Sequence, residues 1–282
     1  MKTILITGIN GFLGSHLAKR LMNNYSIIGL EHSAENLYRL GGYDFQVFEY
    51  SLQTIEHLFN KKSIDFIIHT ATFYGRNQEE IQQIVDTNLF MPFHLLNLAI
   101  KNKVAVFVNT DTALDRFISI YALTKNQLKD WLYFRRNEIK TINMQLEHFY
   151  GEGCSNSNFV TAMIDRLKNN DPIIDLTSGE QQRDFIYYED VVNAFETVIQ
   201  KSDEISTNSN FQTGSGEHIS IKELMLFLKK EIGSSSVLNF GAIPYRENEL
   251  MKSEINIEPL KSLGWKPKYG IKKGLLKIID KK

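Results

Sequence analysis

The chain has 282 residues, of which 43% are hydrophobic and 23% are charged, a balance that excludes a disordered or collagen-like chain. Its 32 basic and 33 acidic residues give a net charge of −1, so no overall field attracts nucleic acid or anionic lipid. Cys154 is the single cysteine, which excludes an internal disulfide, and no apolar run reaches membrane-spanning length. We therefore expect a cytoplasmic protein that binds neither nucleic acid nor membrane.

Short apolar runs alternate with helix-like stretches in the first half of the chain, which is typical of βαβ units. The predicted strands are 2–7, 26–31, 44–50, 64–71, 104–110 and 141–149, and the predicted helices are 14–23, 85–101 and 121–137. We predict an α/β fold with a Rossmann-type, doubly wound parallel sheet and a smaller C-terminal substrate domain. The first domain comprises residues 1–150 and about 187–214, and the second comprises 151–186 and 215–282.

A glycine loop follows the first predicted strand, where residues 7–14 are Thr-Gly-Ile-Asn-Gly-Phe-Leu-Gly. Gly8 fits a tight turn, Gly11 lets the backbone approach a pyrophosphate, and Gly14 lets the helix pack on the sheet. Helix amides then hold the anion without a basic side chain. The loop predicts a dinucleotide site, and a glycine turn without a ligand is the alternative. The other loop residues of the predicted cofactor site are Asn10, Phe12 and Leu13.

Glu31 ends the second predicted strand, about 23 residues after Gly8, where a carboxylate accepts hydrogen bonds from an adenosine ribose. Such a carboxylate repels a 2′-phosphate, which favours NAD over NADP. The neighbouring His32 and Arg39 weaken that preference, so the sequence leaves the cofactor phosphate open. An ordinary solvated strand end is the alternative for Glu31.

Tyr121 and Lys125 lie four residues apart, on one face of the helix that follows the fifth predicted strand. Open α/β sheets bind ligands at the carboxyl ends of their strands, so a phenol and an ammonium here predict proton transfer to a carbonyl or from an alcohol. The charge of Lys125 should lower the pKa of the phenol. Thr110 or Thr112 supplies a further hydroxyl to the same oxygen, and the sequence does not choose between them.

Later segments resemble one family, the extended short-chain dehydrogenases/reductases of nucleotide-diphosphate sugars. They are 145–151 (QLEHFYG), 176–186 (LTSGEQQRDFI), 240–243 with 246–251, and 263–267 (LGWKP). Within that family they are similar to the CDP-abequose and CDP-paratose synthases, and the resemblance covers nearly the whole chain. It implies NADPH-dependent reduction of the 4-keto group of CDP-4-dehydro-3,6-dideoxyglucose, for polysaccharide sugars such as those of O-antigen. The configuration of the product at C4 stays open.

The same resemblance assigns further site residues by position. The implied cofactor contacts are Thr70, Ala71, Thr72, Asn88 and His148. The implied substrate contacts are Asn158, Phe159, Leu176, Arg183, Phe185, Arg246 and Glu249, with the arginines at the diphosphate and Glu249 at the ribose. The resemblance also implies a homodimer that pairs the helices of 85–101 and 121–137, and packing of the same apolar faces on their own sheet is the alternative.

Departures from the family narrow the reaction. The dehydratases carry an Asp-Glu pair where this chain has Asp111-Thr112, so elimination of water lacks half of its acid–base pair. An epimerase on the same scaffold and a redox-sensing protein that binds dinucleotide without catalysis are the alternatives. The seven histidines show no ligand-like spacing, so no metal site is predicted.

Overall fold

The computed structural model describes residues 1–76, 80–247 and 249–280, and the chain divides into two compact units. Unit 1 comprises Met1–Leu146 and Val192–Phe211, and unit 2 comprises Glu147–Val191 and Gln212–Lys282. The assignment of cofactor to one unit and substrate to the other stays a prediction. In the described part of the chain, no helix is both long and apolar enough to cross a membrane.

Strands and helices alternate along unit 1, and the bounds below cover both units. The strands are β1 (Thr3–Thr7), β2 (Ser26–Glu31), β3 (Gln46–Glu49), β4 (Phe66–His69), β5 (Val106–Thr112), β6 (Lys140–Leu146), β7 (His148–Tyr150), β8 (Ile173–Leu176), β9 (Gln182–Arg183), β10 (Phe185–Tyr187), β11 (Ser209–Thr213), β12 (Ile219–Ser220) and β13 (Val237–Phe240). The α-helices are α1 (Phe12–Leu21), α2 (Leu52–Lys61), α3 (Ile81–Val85), α4 (Met91–Lys101), α5 (Ile120–Phe134), α6 (Phe159–Lys168), α7 (Tyr188–Gln200), α8 (Ile221–Ile232), α9 (Glu258–Ser262) and α10 (Ile271–Ile279).

Unit 1 is built on a sheet with the strand order β11-β6-β5-β4-β1-β2-β3. The pairs from β6 to β3 are all parallel, and Ile4, Leu5 and Ile6 of β1 are fully buried, as expected for a parallel strand covered on both faces. The order reverses between β1 and β4, which is the switch point where doubly wound sheets bind ligands. The predicted α/β, Rossmann-type fold is therefore confirmed.

Two predicted elements of unit 1 are interrupted. The predicted strand of 141–149 is two strands, because the chain passes into unit 2 at Glu147, whose backbone N–H donates to Thr213 O at 3.1 Å. The predicted helix of 85–101 contains a π-helical turn, Asp86–Phe90, before α4. This turn places Asn88 in the interior of unit 1.

Helix α2 was not predicted, although its signals are present in the sequence. The Ser51 side chain accepts the N–H of Thr54 and caps the first turn. Ile55, Leu58 and Phe59 follow at helical spacing and are buried in the core of unit 1.

Unit 2 has shorter strands around its own hydrophobic core. The strands pair as β10 with β7, β12 with β9 and β13 with β8, and α6, α8 and α10 contribute apolar side chains to the core. Tyr150 donates to Ile271 O at 3.0 Å. Asp184 accepts from Ser215 and Gly216 and so fastens an irregular segment that has no long strand to hold it.

Aromatic side chains of unit 1 remain exposed around α4 and α5. Phe90, Trp131 and Phe134 are each more than 40% exposed, and Phe93 packs on Trp131 with ring centroids 4.7 Å apart. Exposed aromatic clusters of this kind are typical of protein interfaces. The homodimer stays a prediction.

Candidate active site

The glycine loop between β1 and α1 leaves no space for a side chain at Gly8 or at Gly14. Gly8 has φ +66°, and a Cβ there would lie 2.8 Å from Ala71 Cα. A Cβ on Gly14 would lie 2.1 Å from the carbonyl oxygen of Gly8. Helix α1 begins at Phe12 with no side-chain cap in the described structure, so its first amides are available to an anion. The loop therefore fits the diphosphate of a dinucleotide.

Glu31 connects the end of β2 to the glycine loop. Its carboxylate accepts the backbone N–H of Asn10 at 2.8 Å and that of His32 at 3.1 Å. Asn10 Oδ1 accepts the N–H of Arg39 at 3.0 Å, and the Arg39 guanidinium lies 5.7 Å from the ring centroid of Phe12. This placement fits a carboxylate that binds ribose hydroxyls, with a cation held nearby.

The loop after β4 is fixed to β1 through Thr7. Thr7 Oγ1 accepts the backbone N–H of Thr70 and of Ala71, each at 3.2 Å. Its own hydrogen is therefore donated to His69 Nδ1, 2.8 Å away. Thr70 Oγ1 donates to Thr7 O at 2.7 Å. Thr70 and Ala71 thus lie beside the glycine loop, as the cofactor prediction requires, but the hydroxyl of Thr70 is bonded within the protein.

Asn88 holds the same loop from the other side. Its Oδ1 accepts from Thr72 Oγ1 and from Phe73 N, and its Nδ2 donates to Phe73 O and to Thr124 Oγ1, all at 2.8–3.2 Å. The side chain is fully buried. The amide of Asn88 is thus used inside the protein, where it positions the loop and α5, and its role at the cofactor stays a prediction.

Tyr121 lies in the first turn of α5, which Ser119 caps by accepting the N–H of Ala122 at 3.1 Å. Thr112, at the end of β5, acts on the phenol in the direction that lowers its pKa. The hydroxyl of Thr110 is buried and has no hydrogen-bond partner among the described residues. Thr112 is therefore the threonine that acts on Tyr121, and both threonines stay predictions for the hydroxyl that bonds the substrate oxygen.

The pKa values of Tyr121 and Lys125 depend mainly on burial. Burial and the neighbouring Tyr74 raise the pKa of Tyr121 well above its ordinary value, against the hydrogen bond from Thr112. In the protein alone, burial outweighs the expected lowering of this pKa by Lys125, so the net shift is upward. Burial lowers the pKa of Lys125 to about 8, and Asp111 opposes this. At neutral pH the site holds a protonated phenol and a protonated ammonium, which suits an acid.

In unit 2 the structure brings together three of the predicted substrate residues. Arg183 Nη2 donates to a carboxylate oxygen of Glu249, and the side chain of Arg183 is only 11% exposed. The backbone N–H of Glu249 donates to Arg246 O at 3.1 Å, and Arg246 is exposed. Burial lowers the pKa of Arg183, and Glu249 opposes this. A partly desolvated guanidinium beside an exposed one is suited to a diphosphate.

Other predicted residues of unit 2 are used in its own structure. Asn158 caps α6 by accepting from Val160 N, and it donates to Phe149 O. Leu176 and Phe185 are buried in the hydrophobic core. The substrate contacts of these three residues stay predictions. Phe159 packs against that core. The ring of His148 contacts Phe185, and its Nδ1 lies 3.4 Å from the carboxylate of Glu147.

Tyr74 and Arg76, near the phenol, were missed, and Asp111 was noted only as a departure from the dehydratases. Tyr74 packs on Tyr121 with ring centroids 4.9 Å apart, and the guanidinium of Arg76 lies 4.9 Å from the ring centroid of Tyr74. Asp111 faces the lysines of α5. Only Asp111 has a sequence signal, since it follows Thr110 in the predicted strand end. Within the described ranges, no cluster of three His, Cys, Asp or Glu could hold a metal ion.

Comparison with known proteins identifies relatives along nearly the whole chain. Residues 4–214 match the NAD dependent epimerase/dehydratase family. A CDP-abequose synthase of Salmonella typhimurium is 34% identical, over 99% of this chain and 97% of the relative. A putative UDP-glucose 4-epimerase of Methanocaldococcus jannaschii is 26% identical, over 98% and 97%. The predicted family resemblance is confirmed.

Solved structures show the same fold. A UDP-glucuronic acid 4-epimerase from Bacillus cereus, solved with UDP-glucuronic acid and NAD, has a TM-score of 0.86 at 23% identity and covers 99% of this chain and 98% of its own. A UDP-glucose 4-epimerase from Thermotoga maritima has a TM-score of 0.84 at 24% identity, with 99% and 97% covered. The chain therefore belongs to the NAD dependent epimerase/dehydratase family and is an NAD-dependent oxidoreductase.

Proposed function

We propose that this protein reduces the 4-keto group of a CDP-4-dehydro-3,6-dideoxyglucose to a CDP-3,6-dideoxyhexose, either paratose or abequose. The observation that carries the proposal is the phenol of Tyr121 in the first turn of α5, packed on Tyr74 and one helical turn from the buried Lys125. The CDP sugar is supported by two CDP-abequose synthases of Salmonella, which are 34% and 32% identical over 99% and 100% of this chain.

In the proposed reaction Tyr121 is the acid. Its phenol donates a proton to the carbonyl oxygen at C4 as that oxygen gains negative charge, and the hydroxyl of Thr112 bonds the same oxygen. The ammonium of Lys125 stabilises the phenolate that forms. Gly8, Gly14 and the first amides of α1 hold the cofactor diphosphate, and Glu31 binds its ribose. The reduced nicotinamide, when bound, supplies the hydride.

A dehydratase is not supported, because the two residues after Thr110 do not supply the acid–base pair that such an enzyme needs. Position 112 is a threonine, and the carboxylate of Asp111 is buried. It accepts the backbone N–H of Thr112 and lies 4.0 Å from the Lys129 ammonium.

We propose that the Arg183 guanidinium in unit 2 binds the diphosphate of the sugar nucleotide. For Arg183→Gln we expect KM for the nucleotide sugar to rise about tenfold to a hundredfold, with kcat within about twofold, since a hydrogen bond to a charged group contributes roughly 1.5–3 kcal/mol. Steady-state kinetics measure both constants. Arg166→Gln is the matched control, because Arg166 forms a surface ion pair with Asp171 in the same unit. An unchanged KM for Arg183→Gln would remove the arginine from the binding site.

The reaction is tested by incubating the protein with the CDP-linked keto sugar and either NADH or NADPH. We expect one reduced cofactor to be consumed per sugar reduced, with NADH preferred because Glu31 opposes a 2′-phosphate. NMR of the product assigns its configuration at C4. Absence of consumption with either cofactor would contradict the proposal.

An epimerase is the second candidate, because the structural neighbours include UDP-sugar 4-epimerases. An epimerase oxidises and re-reduces one carbon, so it changes a sugar nucleotide without net consumption of added cofactor. A redox sensor would bind the cofactor and turn over neither sugar. The same incubation, extended to a UDP-hexose, separates the three outcomes.

A further inference from the structure

Asp111 is a buried carboxylate that the proposed reaction does not use. It is 3% exposed, and its Oδ1 accepts the backbone N–H of Thr112 at 2.8 Å. Its Oδ2 lies 3.5 Å from Gln145 Nε2 and 4.0 Å from Lys129 Nζ. Burial of a carboxylate is costly unless cations and hydrogen-bond donors surround it. Its environment therefore points to a role for its charge.

The cations that face Asp111 lie on one stripe of α5. Tyr121, Lys125 and Lys129 are spaced by four residues and so share a face of the helix. Lys129 reaches Asp111 from the outer end of this stripe, with its side chain 33% exposed. Lys125 lies between Lys129 and Tyr121 and is 1% exposed. A charge on Asp111 therefore acts on a lysine that has almost no contact with water.

The other polar groups around Lys125 do not replace this anion. His69 of β4 is near Lys125 but is neutral, because Thr7 donates to its Nδ1, and burial together with Lys125 holds its pKa well below the usual range. Lys129 carries the same charge as Lys125 and repels it. Tyr74 and Arg76 act on the phenol of Tyr121. In the described part of unit 1, Asp111 is the anion that raises the pKa of Lys125.

We propose that Asp111 is a positioning residue of the enzyme, which keeps the buried Lys125 ammonium charged one helical turn from Tyr121. Its importance for catalysis rests on the proposed function, whereas its electrostatic effect on Lys125 is a property of the chain alone. In a dehydratase the equivalent carboxylate would act on the substrate. In this proposal the carboxylate of Asp111 acts on Lys125 instead.

The direct test measures the ionisation of Lys125. Protein labelled with ¹³C at lysine Cε is titrated by NMR, and the Lys125 signal is assigned by its loss in Lys125→Met. Asp111→Asn keeps the shape and the acceptor for Thr112 N–H but removes the charge. We expect the Lys125 midpoint to fall by about one pH unit or more, since an opposite charge nearby shifts a pKa by about one to three. Asp203→Asn, an exposed carboxylate of unit 1, should leave the midpoint unchanged.

A second variant tests for a shift of the Lys125 midpoint in the opposite direction. Lys129→Gln removes the cation that competes for Asp111 and repels Lys125, so the Lys125 midpoint should rise. Because Lys129 is partly exposed, we expect Lys129→Gln to fold. This variant therefore still tests the proposal if Asp111→Asn does not fold. A midpoint that does not fall in folded Asp111→Asn, or does not rise in Lys129→Gln, overturns the proposal.

The kinetic consequence follows from the same shift. If the charged lysine is needed, the alkaline limb of kcat in Asp111→Asn moves to lower pH, so that kcat falls about fivefold at about pH 8 and recovers in mild acid. An unmoved alkaline limb in an active Asp111→Asn enzyme would also contradict the role. If the wild-type protein turns over no keto sugar, the proposed function fails, while the NMR midpoints still decide the effect of Asp111.

Discussion

Replacement of Tyr121 by phenylalanine is expected to lower kcat for the keto sugar by about a thousandfold, the usual contribution of a positioned general acid. The substitution removes only the hydroxyl, so the ring can keep its contact with Tyr74, whose centroid lies 4.9 Å away. The diphosphate-binding residues proposed above, Arg183 and Gly14, are not altered. Binding of the nucleotide sugar and of the cofactor should therefore stay within about twofold, as calorimetry measures.

Tyr133→Phe is the matched control, because Tyr133 lies on the same helix, is exposed, and stacks with Arg136 at its far end. It should keep wild-type kcat. The assignment of the acid fails if Tyr121→Phe retains turnover, or if it loses nucleotide binding in parallel with turnover.

The two candidate threonines differ in the structure, since Thr112 acts on the pKa of Tyr121 whereas the hydroxyl of Thr110 has no hydrogen-bond partner among the described residues. This difference was not available from the sequence. Both threonines lie at the end of the same apolar run. Which of them lies near Tyr121 depends on how α5 packs against β5. The helix start is set by the Ser119 cap, a local signal that does not reveal which strand residue it will meet.

The sheet of unit 1 was predictable because each buried parallel strand is a short apolar run followed by glycine or polar residues. The placement of Tyr121 beside the end of β5 follows from the same pattern, since parallel strands present their carboxyl ends at one edge. The direction of its pKa shift was not predictable. Burial dominates it, and Tyr74, which lies 47 residues earlier by number, raises the pKa of Tyr121 further.

Two of the site residues assigned through the family resemblance are asparagines whose side chains pair with backbone groups of the protein. Asn88 and Asn158 bind the backbone of their own unit with most or all of their amide groups. Because buried backbone N–H and C=O groups must be paired, an asparagine near a helix start or a π-turn is used first by the protein. By contrast, Arg183 and Glu249 are distant in sequence and their side chains form an ion pair, while their contact with the substrate stays a prediction.

Lys125→Met is expected to lower kcat by about a hundredfold and to weaken cofactor binding by about tenfold, the size of a lost hydrogen bond to a charged group. Methionine keeps much of the length and apolar volume of the buried lysine but cannot carry charge. The phenolate formed at Tyr121 would then lie near the carboxylate of Asp111 with no Lys125 ammonium between them. Stopped-flow turnover and cofactor titration measure the two effects.

The pH dependence separates this role of Lys125 from a structural one. In the wild type the lysine is charged below its pKa of about 8, so activity that needs the ammonium declines as pH rises through that value. Lys125→Met has no such group and should lose this alkaline limb. Folding is not expected to explain the loss, because burial of the ammonium lowers its pKa and thus disfavours the folded state near neutral pH. A Lys125→Met enzyme with the wild-type pH–rate profile would exclude the lysine from the reaction.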